Sequence, residues 1–180
     1  MDIHEYLSQM KPFIASHDWD GLERKYRKLA AKLAGKQQAA RIATLDFASY
    51  QSRLDPSVVD AVMGAEVCKA KAVYFEYDLD NDWQSGFYLC GEYNPESADD
   101  EDWVCDWIED FRGPEVPEAS QIYRENSFDR TPIAKGSTLY LVALTVAAFG
   151  RCVMHTAPPN LTVCIAFHDQ VPIMRIAEAA

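Results

Sequence analysis

The sequence predicts an α+β fold in a single domain that spans residues 1–180. Three observations predict it. Apolar residues recur at helical spacing in the first third of the chain and at strand spacing near residues 72–93 and 161–176. Hydrophobic residues make up 48% of the chain, which is enough for a sizeable core. The elements come in blocks of helices and hairpins, and this order favours α+β over an alternating α/β sheet.

Helices are predicted throughout the first third of the chain. The first covers about residues 2–16. The second starts from a capping-box pattern at Asp20, and the third covers about residues 37–53. A short fourth helix is predicted to start at Asp55-Pro56, because proline suits the first position of a helix.

Two antiparallel hairpins are predicted, at about residues 72–93 and 161–176. In the first, Val73 and Phe75 alternate with Tyr74 and Glu76, so that one face is apolar. Asp78–Asp82 is predicted to be its turn. The two hairpins are expected to be separated by two helices.

The first of these two helices is acidic and runs from about Asp99 to Phe111, since acidic residues favour the first turn of a helix. The second is an apolar, buried helix from about residue 133 to 153. Its apolar run falls short of the roughly 20 residues that span a bilayer, so no membrane segment is expected. Between them, Gly113-Pro114, Pro117 and Pro132 frame a stretch that is predicted to be irregular.

Charge is concentrated in the middle of the chain. The net charge is −11, and residues 76–130 hold seventeen acidic residues against three arginines. Residues 1–75 and 131–180 are each slightly basic. A negative field repels phosphate backbones and anionic lipids but attracts basic protein surfaces. We therefore expect a basic protein partner, and neither nucleic acid nor membrane.

Five cysteines, an odd number without a C-x-x-C pair, are typical of a reduced compartment. The N-terminus has neither the basic start nor the apolar run of a secretory signal. A cytoplasmic location is therefore expected.

Two metal sites are alternatives. The Asp78-x-Asp80-x-Asp82 spacing invites calcium, but the glycine and the final glutamate of an EF-hand loop are missing. Cys152-x-x-His155 with Cys164-x-x-x-His168 offers four zinc ligands, but not in the paired order of a zinc finger. A solvated turn and structural cysteines are the preferred interpretations, so neither a metal nor a cofactor is expected.

The most distinctive segment is the predicted acidic helix. There, Trp103 and Trp107 would share one helix face beside a row of carboxylates. Acidic residues speed encounter with a basic partner and aromatic residues anchor it, although the same tryptophans could instead fill the core. The residues predicted to bind the partner, including the neighbouring turn, are Asp78, Asp80, Asp82, Asp99, Asp100, Glu101, Asp102, Trp103, Asp106, Trp107, Glu109 and Asp110.

The chain resembles the immunity proteins that neutralise bacterial polymorphic toxins. The resemblance is to the class and rests on size, acidity and the strand Tyr74–Asp78 leading into an acidic turn. It implies a tight, stoichiometric complex with a basic toxin domain, such as a nuclease, whose cleft is filled by carboxylates in place of phosphates. The alternatives are a small-molecule enzyme that uses Cys164 or His168, and an adaptor or subunit of a cytosolic assembly.

Overall fold

The computed structural model describes residues 2–98, 100–158 and 160–179. Seven α-helices and five β-strands follow one another in these ranges. The helices are α1 (Ile3–Ser8), α2 (Lys11–Ala15), α3 (Trp19–Leu33), α4 (Lys36–Ala43), α5 (Phe47–Cys68), α6 (Pro117–Asn126) and α7 (Pro132–Thr156). The strands are β1 (Ala72–Tyr77), β2 (Ser85–Cys90), β3 (Trp107–Arg112), β4 (Thr162–Phe167) and β5 (Met174–Ala177). The predicted α+β class is confirmed.

Aspartates set the starts of the N-terminal helices. Asp18, not Asp20, caps α3, because its carboxylate accepts the backbone N–H of Gly21 at 2.8 Å. Asp46 caps α5 in the same way, by accepting the N–H of Ser49 at 2.9 Å. The predicted helix over residues 37–53 is therefore wrong in its length: it is divided at residues 44–46 into the end of α4 and the start of α5.

Pro56 lies inside α5 and does not begin a new helix. An interior proline removes one backbone hydrogen bond and costs roughly 3 kcal/mol. The buried side chains of α5 nevertheless keep helical spacing on both sides of the proline, from Tyr50 and Leu54 to Val58 and Ala61. Burial of this continuous stripe outweighs the local cost, so the predicted break at Asp55-Pro56 is wrong.

The five strands form one mixed sheet in the order β3-β2-β1-β4-β5. Both predicted hairpins are present, as the antiparallel pairs β1–β2 and β4–β5. Parallel pairing of β1 with β4 joins the hairpins. β3 adds to β2 antiparallel and forms one edge of the sheet.

One face of the sheet, here called the inner face, packs against α7. Phe75 of β1 stacks on Phe149 of α7 with ring centroids 4.5 Å apart. Residues from Leu139 to Phe149 of α7 are buried. By length and hydropathy, α7 is the one helix in the described part of the chain that could cross a membrane, but 89% of its most apolar window is buried within the fold. This is the pattern of a core helix.

The region between the hairpins differs most from the prediction. The predicted acidic helix from Asp99 to Phe111 is wrong: the chain forms a 3-10 turn over Asp102–Cys105 and then β3. Pairing with β2 explains the strand, since Phe111 stacks on Phe87 of the inner face at 5.1 Å. The stretch predicted to be irregular contains α6, which begins at Pro117.

Candidate functional site

The second face of the sheet, the outer face, is only half covered. Residues 94–98 and 100–106, here called the covering segment, lie over one end of it, where Trp103 is 4% exposed and packs in a small apolar cluster. The Trp103 ring meets Tyr93 edge to face at 5.1 Å. Trp103 therefore fills a core, whereas Trp107, on β3, is 45% exposed. The two tryptophans therefore differ in burial and do not form the shared helix face that was predicted.

Glu101 fastens this covering segment to the sheet. One oxygen of its carboxylate lies 2.7 Å from Nη1 of Arg175, and the other accepts the backbone N–H of Ile173 at 2.8 Å. The Arg175 side chain is 6% exposed and that of Glu101 is 19% exposed. Glu101, predicted to bind a partner, thus forms a nearly buried ion pair within the fold.

The uncovered end of the outer face carries a groove of about 380 Å³. Side chains from three adjacent strands line it: Glu76 of β1, Tyr88 of β2 and Asp110 of β3. Burial raises the pKa of Tyr88, and the nearby carboxylates of Glu76 and Asp110 raise it further. Four acidic residues line the groove against one arginine, Arg112, so it is a negative surface that includes the Tyr88 ring.

Glu76 is held in place from two sides. The Tyr74 hydroxyl donates to one of its oxygens at 2.8 Å, and Nδ1 of His168 lies 3.2 Å from the other. The hydrogen bond to Glu76 raises the pKa of His168, which favours a positive imidazolium beside the carboxylate. His168 thus partly neutralises the end of the groove formed by β1, whereas Asp110 at the other end has no ion pair in the described part of the chain.

Strand β3 continues the negative surface to the edge of the sheet. Its exposed apolar side chains are Trp107 and Ile108, which is 53% exposed. The carboxylates of Asp106, Glu109 and Asp110 are exposed beside them. Within the described residues none of these three takes part in an ion pair. Trp107 is steadied by an edge-on contact with Tyr88 at 5.1 Å.

The aspartates of the predicted turn are divided between different surroundings. Asp78 lines the groove together with Asp110, as expected for an extension of the acidic surface. Asp82 lies 3.2 Å from Arg124, and Asp80 offers its backbone carbonyl to the same guanidinium at 2.7 Å. Arg124 therefore ties Asp80 and Asp82 to α6.

Asp100 and Asp102, also predicted to bind a partner, lie in the covering segment. Asp100 accepts hydrogen bonds from the Asn94 side chain and the Asp102 backbone, both at 3.0 Å, so it organises the segment locally. The Asp102 side chain is exposed. Asp99 lies outside the described residues.

Four of the seventeen acidic residues between 76 and 130 pair with lysines or arginines from outside that segment. Arg175 and three other bases from outside residues 76–130 bind acidic residues of that segment. These three pairs are Lys11–Glu96, Arg41–Glu125 and Lys71–Glu92. The acidic residues that keep no cation therefore include those on β3 and at its start.

The structure gives no support to the metal and thiol alternatives. In the described ranges, no group of three or more His, Cys, Asp or Glu side chains is arranged to hold a metal ion. Cys164 is fully buried, and desolvation strongly raises the pKa of its thiol. A buried thiol that resists ionisation is a poor nucleophile.

Sequence reasoning missed Glu76, Tyr88 and His168 as members of the site. The signal for the first two was present in the alternation of β1 and β2. Residues that alternate with an apolar inner face must lie on the opposite face, and here that face is only partly covered. No comparable signal marked His168, since its contact with Glu76 depends on the parallel pairing of β1 with β4.

Comparison with protein-family models, with curated proteins and with solved structures finds no match to this chain.

Proposed function

We propose that this chain is an immunity-type binding protein that neutralises a basic protein partner through strand β3 and the uncovered half of the outer face. The observation that carries the proposal is the composition of β3 and its start. Exposed Trp107 and Ile108 lie among three exposed carboxylates that have no internal cation in the described residues. A partner that brings lysines or arginines supplies the missing charges, and its apolar groups cover the indole.

The two kinds of side chain have different effects on binding. Unpaired carboxylates create a negative electrostatic field that extends beyond the protein surface. At low ionic strength this field raises the rate of association with a basic partner. A half-exposed tryptophan that becomes fully covered slows dissociation, and tryptophan is enriched among residues that dominate binding energy. The groove formed by Glu76, Tyr88 and Asp110 then receives a basic side chain, in the way that a carboxylate-lined cleft replaces phosphates.

The experiment begins with capture of the partner from the host lysate, with the wild-type chain immobilised at low and at high salt. We expect one basic protein in stoichiometric amount, and this protein should lose its own toxic activity when bound. A benign basic protein would indicate an adaptor instead. An empty column at both salt concentrations would contradict the proposal.

Charge reversal then locates the surface. The variant Asp106→Lys/Asp110→Lys should slow association at low salt by at least about tenfold. The control Asp60→Lys/Glu66→Lys reverses two exposed carboxylates on α5, changes the net charge by the same amount and should leave the rate nearly unchanged. Equal effects of the two variants would show that only net charge matters, and would move the interface away from β3.

Truncation of the tryptophan tests the anchor. Trp107→Ala should speed dissociation by about thirtyfold, which corresponds to roughly 2 kcal/mol at an interface centre. Met63→Ala removes a side chain that is 60% exposed on α5, and it serves as the matched control. A dissociation rate for Trp107→Ala equal to that of the control would place the anchor elsewhere.

A further inference from the structure

Strand β3 forms one edge of the sheet, and its outward side is open. The other edge strand, β5, lies against helix α2, whereas five of the six residues of β3 are exposed. At 3.3 Å per residue, β3 offers an edge about 20 Å long. Such an edge presents backbone N–H and C=O groups that can pair with another extended segment.

The register shows which backbone groups are open. The N–H of Gly113 donates to the carbonyl of Ser85 at 2.8 Å, and the same register pairs Phe87 with Phe111 and Leu89 with Glu109. In antiparallel pairs, hydrogen-bonded and non-bonded positions alternate. The pairs Ser85–Gly113, Phe87–Phe111 and Leu89–Glu109 are therefore the bonded ones. Their intervening residues on β3, Asp110 and Arg112, direct their N–H and C=O groups away from the sheet.

The pairing between β1 and β2 gives the same answer independently. The N–H of Asp78 donates to the carbonyl of Gln84 at 2.9 Å. Gln84, Gly86 and Tyr88 therefore bond towards β1, which leaves Ser85 and Phe87 to bond towards β3. The pairing of β2 with β1 and its pairing with β3 therefore both indicate that the backbone groups of Asp110 and Arg112 are open.

The charges on this edge select its occupant. A second copy of the chain that paired β3 with β3 would set the three carboxylates of each copy, at Asp106, Glu109 and Asp110, against a single cation per copy, Arg112. Like charges across a strand pair are destabilising, so self-pairing is opposed. A segment with lysine or arginine at alternate positions carries its cations on one face, where they can meet Asp110 beside Tyr88 on the outer face. Arg112 disfavours a basic residue at its own end of the edge.

Building on the proposed function, we infer that the basic partner binds by adding an extended, lysine- or arginine-rich segment to the open edge of β3. Backbone hydrogen bonds to Asp110 and Arg112 supply part of the affinity. We take the added segment to run antiparallel to β3, as β2 does on the other side. In that orientation a residue directly opposite Asp110 forms a bonded pair with it and places its side chain on the same face. The basic residues of the segment are therefore the ones whose N–H groups point at β3.

Two isomeric peptides test this geometry. The probe is an eight-residue peptide of alternating lysine and valine, blocked at both ends. One isomer carries N-methyl groups on its lysines and the other carries them on its valines, so that charge and composition are equal. Both are titrated into ¹⁵N-labelled protein at low salt, and the amide signals of Asp110 and Arg112 are followed by NMR.

We expect the parent and the valine-methylated peptide to shift the Asp110 and Arg112 amide signals and to bind with similar affinity. The lysine-methylated peptide should bind at least about fivefold more weakly, because it cannot donate to β3. Equal affinity of the two isomers, or shifts confined to other parts of the acidic surface, would overturn strand addition. Concentration-dependent shifts without peptide would indicate that a second copy occupies the edge instead, and would also overturn it.

Failure of this inference is distinguishable from failure of the proposed function. If the captured toxin loses binding on Asp106→Lys/Asp110→Lys while the two peptide isomers bind equally, the surface is correct and the strand addition is wrong. If no basic partner is captured, the proposed function itself fails, whatever the peptides do.

Discussion

Replacing Glu101 by alanine is expected to detach the covering segment from the outer face of the sheet. Glu101 accepts from the Arg175 guanidinium at 2.7 Å and from the Ile173 backbone at 2.8 Å. The replacement leaves the Arg175 guanidinium without the Glu101 carboxylate, in a side chain that is only 6% exposed to water. It also removes the acceptor of the Ile173 N–H.

The size of the effect follows from these two contacts. Hydrogen bonds to a charged group each contribute about 1.5–3 kcal/mol, and breaking one side of a buried ion pair costs about 3–5 kcal/mol. Because 19% of the Glu101 side chain is exposed, water partly replaces the carboxylate. We therefore expect the free energy of unfolding to fall by about 3 kcal/mol, towards the lower end of that range. Glu101→Gln keeps one acceptor and should lose less.

Urea denaturation at neutral pH measures this change. With an m value of about 3 kcal/mol per M, the midpoint should fall by about 1 M. Glu109→Ala removes an exposed glutamate that has no ion pair within the described residues, and it should leave the midpoint nearly unchanged. The double variant Glu101→Leu/Arg175→Met removes both charges and should recover much of the loss. A midpoint for Glu101→Ala within 0.2 M of the control, on the order of 0.5 kcal/mol, would show that Glu101 does not fasten the covering segment to the sheet.

Two further predictions concern the core and the groove. Gly150→Ala should lower the free energy of unfolding by about 1 kcal/mol, because the new Cβ would lie 2.5 Å from the Trp19 ring. This loss should exceed the gain from the better helix propensity of alanine. In the control Gly64→Ala the new Cβ meets one leucine methyl, and the same urea titration should show a smaller loss. The pKa of His168, raised chiefly by its hydrogen bond to Glu76, should fall towards 6.5 in Glu76→Gln when followed by NMR. Since the folded pKa is raised, this contact stabilises the fold fully below pH 6.5 and loses its contribution as the pH rises through the folded pKa. The contribution should be under about 0.5 kcal/mol because the imidazole is 60% exposed, and an unchanged His168 pKa in the variant would contradict the contact.

Predictions from the sequence are correct where the spacing of apolar residues matches their burial in the structure. Val73, Phe75 and Tyr77 alternate along β1 with residues of the outer face, and all three are buried in the main core. The apolar run from Leu139 to Phe149 lies in the central helix α7. In both places one interpretation satisfied propensity and burial together, so tertiary packing had nothing to overrule.

The predicted acidic helix shows why other elements could not be predicted from the sequence. Its first-turn carboxylates and the spacing of Trp103 and Trp107 fit a helix, but Phe111 gains a stacked position beside Phe87 only if the chain is extended. Glu101 likewise finds Arg175, 74 residues away, only after the two hairpins have joined. Long-range partners of this kind decide the local structure, and no window of neighbouring residues contains them.

Charge that is concentrated along the chain becomes redistributed when the chain folds. Of the acidic residues between 76 and 130, Glu92, Glu96, Glu101 and Glu125 each meet a base from outside that segment. Reversing their charges would leave distant cations without partners, so such variants report on stability as well as on recognition. The carboxylates of Asp106 and Asp110 lack such a pair within the described residues, and Asp110 belongs to the open edge of the sheet. Charge reversal there alters the field met by a partner while sparing the ion pairs of the fold, and these are the positions at which loss of binding can be attributed to the interface.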